Sequence, residues 1–215
     1  MTGPATDEDR QRALGLIGVS RETAERLATL VDELRRWQSV KNLVGRGTLD
    51  RIWTRHIADS AQLLEQAPGA RTWLDLGSGA GFPGLVLAIL LRDEPGAEVH
   101  LVESNGRKCA FLRHATRLTG AAAVVHEARL ETVVPKFTGK VDVVTARALA
   151  PLADLIAWTR PLLQNGAVGL FPKGREAEAE LTEAAESLTF AAQVKPSRTS
   201  SNGRILRIEG LREPP

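Results

Sequence analysis

Apolar residues first recur at helical spacing behind Ser20. Ala24, Leu27, Leu30, Val31, Leu34 and Trp37 form one stripe, and Ser20 is the expected N-cap. A second amphipathic segment carries Ile52, Trp53, Ile57, Ala61 and Leu64 and stops before Pro68-Gly69. From residue 71 the texture changes. Short apolar runs predict strands over 71–76, 98–102, 122–126, 140–145 and 166–171. Helical patterns over 83–93, 107–118, 151–163 and 174–189 separate or follow them. Two further strands, near 190–195 and 204–209, are close enough in sequence to pair as an antiparallel edge. The alternation predicts an α/β fold with a parallel sheet, right-handed crossovers and helices on both faces. There is no internal repeat or low-complexity linker. The seam falls near residues 66–71, between an N-terminal helical segment (1–66) and the sheet-bearing part (67–215), expected to form one structural unit.

Between the first strand and its helix the chain reads WLDLGSGAGFPG, residues 73–84. Gly79 to Gly84 satisfy the G-x-G-x-x-G dinucleotide fingerprint, and glycines at 77, 79 and 81 let backbone turn sharply and approach a ligand. Nicotinamide, flavin and sulfonium cofactors all need that. The neighbours discriminate. A diphosphate docks on free amides at a helix start, and Pro83 removes one such donor. Asp75 would repel a diphosphate, yet it attracts the sulfonium and α-ammonium groups of S-adenosylmethionine, directly or through water. Glu103 closes the second strand, where a carboxylate accepts hydrogen bonds from ribose hydroxyls of any nucleoside cofactor. The loop therefore points to S-adenosylmethionine.

Composition narrows the picture only slightly. At 215 residues, with 43% hydrophobic and 25% charged residues, the chain fits one α/β domain with a buried core. The start, MTGPATDEDR, is polar and acidic and resembles no secretory signal, and Leu85 to Leu91 is too short to cross a bilayer. A cytoplasmic monomer with no membrane partner is expected. A single cysteine excludes an intrachain disulfide, and no metal-ligand cluster is visible. Net charge is +2 with a pI near 9.0, so nucleic-acid binding needs a local basic patch. Aromatics are only 4%, which argues against a binder built on many stacking platforms.

Asp75 to Gly84 resembles the cofactor loop of the bacterial small-subunit ribosomal RNA guanine-N7 methyltransferase G family, also called glucose-inhibited division protein B. The resemblance runs on through Lys41-Asn42-Leu43, Arg55-His56-Ile57-Ala58-Asp59-Ser60, Val102-Glu103-Ser104, Arg107-Lys108, Phe111-Leu112-Arg113, Thr145-Ala146-Arg147-Ala148 and Phe171-Pro172-Lys173-Gly174. Val44 departs from it, where threonine or another small residue is expected. The resemblance implies a class I, Rossmann-like fold, S-adenosylmethionine as donor, and N7 of G527 in the 530 loop of 16S rRNA as acceptor, within the 30S subunit. By the same resemblance Leu130 and Glu131 border the adenine by their backbone, Phe82 belongs to the cofactor loop, and Arg147 borders the cofactor.

The chemistry asks little of the enzyme beyond alignment. Guanine N7 offers an in-plane lone pair and has no proton to lose, so in-line methyl transfer needs no general base. The chain lacks the Asn/Asp-Pro-Pro-aromatic tetrapeptide of many exocyclic-amine methyltransferases. Its one cysteine, Cys109, lies in the helix after the second strand, which excludes a C5-type covalent mechanism and suits a small core residue. Arg147 and Lys173, each at the carboxyl edge of a strand, are the candidates to position the target base or a nearby phosphate; a structural ion pair or a solvated lysine is the competing account. His56, Asp59 and Ser60 share a helical face as a network that either orients the cofactor or is structural. The RNA-contacting set is Lys41, Asn42, Arg55, His56, Arg107 and Lys108, joined by Arg46 and Arg51, although an Arg55–Asp59 pair at i,i+4 would neutralise part of it. The five glutamates within 176–186 read as a solvated helix surface facing away from RNA. A methyltransferase for another RNA or a small molecule, a nicotinamide oxidoreductase, and a non-catalytic RNA-binding assembly factor are the alternatives.

Overall fold

The structure, a computed structural model, describes residues 4–38, 43–186 and 188–212, so Lys41, Asn42 and the side chain of Arg46 lie outside the described residues. Two helices open the chain, α1 (Pro4–Ile17) and α2 (Arg21–Gln38). The stripe behind Ser20 is buried on α2 at Leu27, Leu30, Val31 and Leu34, and Ser20 Oγ accepts the Thr23 amide at 3.2 Å. α1 is not foreshadowed by periodicity, because its apolar residues crowd into its second half. The segment expected as one amphipathic helix is instead wound in pieces: a 3-10 turn (Arg46–Arg51), a π-helical stretch (Trp53–Ala58), a short α3 (Asp59–Ala61) and a last 3-10 turn (Leu64–Gln66). Its apolar residues still face inward; Ile52, Trp53 and Ile57 are buried.

Five parallel strands then form the sheet: β1 (Thr72–Leu76), β2 (Glu98–Glu103), β3 (Ala123–Glu127), β4 (Val143–Ala146) and β5 (Val168–Lys173). Helices α4 (Gly84–Leu90), α5 (Gly106–Thr119), α6 (Leu130–Val133), α7 (Leu152–Gln164) and α8 (Ala177–Ala185) connect or follow them. α4 and α8 are shorter than the apolar pattern suggested, ending at Leu90 and Ala185. The last two strands, β6 (Thr189–Pro196) and β7 (Arg204–Arg212), pair antiparallel as expected, and β7 also pairs antiparallel with β5. The spatial order is β3-β2-β1-β4-β5-β7-β6.

Side-chain alternation along β1 sorts two cores. Trp73 packs with α2, α4 and α5 residues such as Leu30, Leu85 and Phe111, whereas Leu74 and Leu76 pack with Ile156, Leu163, Phe171 and Leu206 on the other face. The N-terminal segment belongs to the first core, so it is built into the same layer as α4 and α5. Chain order runs outward from β1 to β3 on one side and from β4 to β5 on the other. The crevice at the carboxyl ends of adjacent β1 and β4 is thus the topological switch point, where open α/β sheets take ligands.

Candidate active site

At that crevice the glycine loop is held by carboxylates rather than by phosphate-binding amides. Gly77, Gly79 and Gly81 have φ of 64°, 57° and 88°, a left-handed region that side-chain-bearing residues seldom adopt. Asp75 is fully buried, and its Oδ2 accepts the Gly84 amide at 3.1 Å. Glu103 Oε2 accepts the Gly79 amide at 3.0 Å, while its Oε1 accepts the Asn105 amide at 2.8 Å. Both acids expected to meet the cofactor therefore also shape the loop. Pro83 precedes α4 rather than entering its first turn.

Asp75 has a second oxygen with nothing to bond. Its Oδ1 is buried without a hydrogen-bond partner among the described residues, and so is Thr145 Oγ1. The two residues are register partners on neighbouring parallel strands, so their side chains leave the sheet on the same face. An isolated buried polar atom costs about 1–3 kcal/mol, and a carboxyl and a hydroxyl on one face of neighbouring strands suit a cationic group, reached directly or through a bridging water. Burial raises the Asp75 pKa from 3.8 to about 7, and a bound cation would restore its charge. The residues present thus fit S-adenosylmethionine. Sequence spacing does not single out Thr145; only the pairing of β4 with β1 puts its hydroxyl on the face of Asp75.

Phe82 is buried, with its ring stacked on His56 at a centroid distance of 4.8 Å and the Arg147 guanidinium 5.3 Å from its centroid. It braces the donor loop against the N-terminal segment. Leu130 and Glu131 begin α6 just beyond β3, and the amide of nearby Ala128 bonds the Glu103 carbonyl at 3.1 Å, which places that turn beside the loop. Cys109 is buried, as expected, and donates to the Glu103 carbonyl at 3.2 Å. Arg107 and Lys108 start α5, where Asn105 Oδ1 caps their amides, and Lys108 Nζ lies 4.0 Å from Glu103.

A second feature opens at the carboxyl ends of β4 and β5: a cleft of about 980 Å³ walled by Arg55, His56 and Asp59, Arg147 to Pro151, Pro172 to Glu176, and the β6–β7 turn. Arg147 enters it but points back to the N-terminal segment. Its guanidinium bonds His56 Nδ1 at 2.8 Å and the Arg55 carbonyl at 3.2 Å, and pairs with Asp59 Oδ2 at 3.5 Å. Burial pulls its pKa below the ordinary arginine value, against the opposing carboxylates of Asp59 and Asp75. Lys173 is bound too, to the Ala150 carbonyl and to Glu180 Oε2, each at 2.7 Å.

Several expectations about this region need correction. His56 is buried rather than on an open surface, although it lines the cleft, and its other nitrogen meets Thr48 Oγ1 at 3.0 Å. Burial first, then Arg147 and Arg55, lower its pKa to about 3, so it stays neutral. Ser60 Oγ turns to the His56 carbonyl at 2.6 Å instead of joining a side-chain network. Asp59 does not pair with Arg55. It accepts Thr199 Oγ1 at 2.6 Å, Gln62 Nε2 at 2.9 Å and Ser197 Oγ at 3.3 Å, besides Arg147, and so pins the β6–β7 turn to the N-terminal segment. Glu180 is no solvated surface residue either, since it also accepts the Leu152 amide at 2.6 Å.

The fold and the glycine loop are those of a class I S-adenosylmethionine-dependent methyltransferase. Solved relatives share the architecture at low identity. The O-methyltransferase from Bacillus cereus in complex with SAH matches with a TM-score of 0.61 at 15% identity, over 98% of this chain and 100% of that one. The O-methyltransferase TomG from Streptomyces achromogenes in complex with SAM matches with 0.61 at 14%, over 95% and 97%. The family model for rRNA small subunit methyltransferase G matches residues 23–207, and the chain belongs to that family. It is 63% identical to the ribosomal RNA small subunit methyltransferase G of Methylobacterium sp. strain 4-46, over 96% of this chain and 97% of the relative. The protein of the same name from Bradyrhizobium sp. strain BTAi1 is 52% identical, over 94% and 90%.

Proposed function

We propose that this protein transfers a methyl group from S-adenosylmethionine to N7 of the guanine in the 530 loop of 16S rRNA, acting as a cytoplasmic monomer on the small ribosomal subunit. The observation that carries it is the pair of unpartnered buried oxygens, on Asp75 and Thr145, under a glycine loop that adjoins a cleft large enough for a nucleotide. S-adenosylmethionine supplies an electrophilic methyl group on sulfur. Asp75 and Thr145 receive its methionine ammonium side, Glu103 the ribose, and the turn at Leu130 and Glu131 the adenine. Gly77, Gly79 and Gly81 let the backbone come close.

Nucleophilic attack by an in-plane lone pair requires orientation and no proton removal. The cleft suits that demand. Its histidine, His56, is neutral with both nitrogens engaged, so it supplies hydrogen bonds and shape. Arg147 and Lys173 act by positioning: each is fixed by a carboxylate and can turn a donor toward the base without reorganising. Arg55 is exposed at the cleft and contacts RNA; Arg107 and Lys108 stand by the donor loop.

The decisive experiment incubates the purified protein with radiolabelled donor and small subunits from cells lacking the endogenous enzyme, then maps the modified base. Label at N7 of the expected guanine supports the reading. RNA binding without transfer favours a non-catalytic assembly factor, and label at another base changes the acceptor.

A further inference from the structure

Five cations line the cleft, and they divide sharply. Arg147 is paired with Asp59, Lys173 with Glu180, and Arg204 Nε lies 3.6 Å from Glu178 while its guanidinium also bonds the Ser201 and Gly203 carbonyls. Arg55 and Arg175 are different. Both side chains are exposed, and neither makes a hydrogen bond or ion pair with any described residue, although Glu176 and Glu178 are close in sequence to Arg175. They stand on separate walls: Arg55 on the π-helical stretch of the N-terminal segment, Arg175 in the turn after β5.

Charge reinforces the contrast. Arg55 adds to the positive surroundings of His56 and Arg147, a minor cause beside burial of the lowered proton affinity of both. A guanidinium left without a carboxylate offers a planar fork matched to a phosphate's oxygens. On the donor side Lys108 has Glu103 at 4.0 Å, and Arg107, exposed and likewise without a side-chain partner among the described residues, does not line the cleft. We infer that Arg55 and Arg175 form a two-point phosphate clamp across the mouth of the cleft, holding the backbone of an RNA strand on either side of the acceptor nucleotide. The clamp rests on the proposed function, because it takes the cleft to be the acceptor site.

Salt dependence separates it from a structural role. Each phosphate contact to a single strand contributes about 0.7 to the slope of log affinity against log salt. Binding of small ribosomal subunits, and of a short single-stranded RNA, is measured by fluorescence anisotropy over a salt series. Arg55→Ala and Arg175→Ala should each lower the slope by about 0.7, and the double variant by about 1.4. Arg175→Lys, which keeps the charge, should retain the slope. Donor affinity by calorimetry should be unchanged in all of them. If wild-type protein binds RNA and the alanine variants keep its slope, or if Arg107→Ala with Lys108→Ala lowers it instead, the clamp is overturned and the proposed function stands. If wild-type protein binds neither RNA, both fall together.

Discussion

The glycine loop and the cleft beside it are made in opposite ways. The loop is one contiguous stretch, residues 75–84, plus Glu103 from the next strand, and its parts meet through backbone amides. The cleft draws on four distant segments joined by side chains; Asp59 alone reaches Arg147, 88 residues away, and Thr199, 140 away. Backbone geometry tolerates no added atoms, whereas side-chain pairing tolerates shape changes but not lost charge. The two regions should therefore fail under different substitutions.

The largest expected effect is steric. A Cβ on Gly84 would sit against Leu101 Cδ2 and 2.5 Å from Asp75 Oδ2. Gly84→Ala should cost about 3 kcal/mol of stability, near the upper end for overpacking, read as a shifted urea midpoint. Gly174→Ala in the cleft, with nothing within 4 Å of its Cβ, should stay within about 0.5 kcal/mol. Equal effects at the two sites would erase the contrast.

Next comes the buried acid. Because native Asp75 titrates at about 7 against an ordinary 3.8, the folded protein keeps a proton that the unfolded chain has released in between. Its contribution to stability without cofactor is complete below 3.8 and is lost as pH rises through about 7. A cationic ligand favours the ionised form, so donor affinity should climb with pH up to roughly neutrality and then level off. Asp75→Asn should weaken donor binding about tenfold, the value of one charge-assisted hydrogen bond, and flatten that profile. Calorimetry at several pH values would show it, and a slope persisting in the variant would assign the proton elsewhere.

On the cleft side, Asp59→Asn removes the charge that holds Arg147 and Thr199. Acceptor KM should rise about tenfold, with donor affinity within a factor of two. A matching loss of donor affinity would mean that the two regions do not separate. Smallest is Glu180→Gln, which keeps an acceptor for the Leu152 amide but loses the Lys173 charge pair. It should lower stability by about 1 kcal/mol, and no change in thermal midpoint would show that the pair contributes nothing.

The same division decided what could be read from sequence. Strands, their order of appearance and the glycine loop are local patterns, so the sheet and Asp75, Glu103 and the glycines were legible. The irregular winding of residues 46–66 was not, because an apolar stripe does not distinguish α from π or 3-10 turns over so few residues. Helical spacing places Asp59 near His56 and within reach of Arg55, yet besides Gln62 its partners lie just after β4 and in the last turn, which spacing within one helix cannot reveal. Glu180 looked solvated for the same reason: the lysine that holds it is on β5.

Asp9 lies far from both regions in sequence, yet its carboxylate accepts the Trp53 and Thr54 amides at 2.9 and 3.2 Å and the Thr54 hydroxyl at 2.5 Å. It is a cap supplied from 44 residues upstream, fastened to the stretch that carries Arg55, His56 and Asp59. The acidic opening of the chain is thus fastened to the cleft wall, and trimming it would loosen the stretch that carries Arg55, His56 and Asp59 and, through the His56–Phe82 stack, the glycine loop as well.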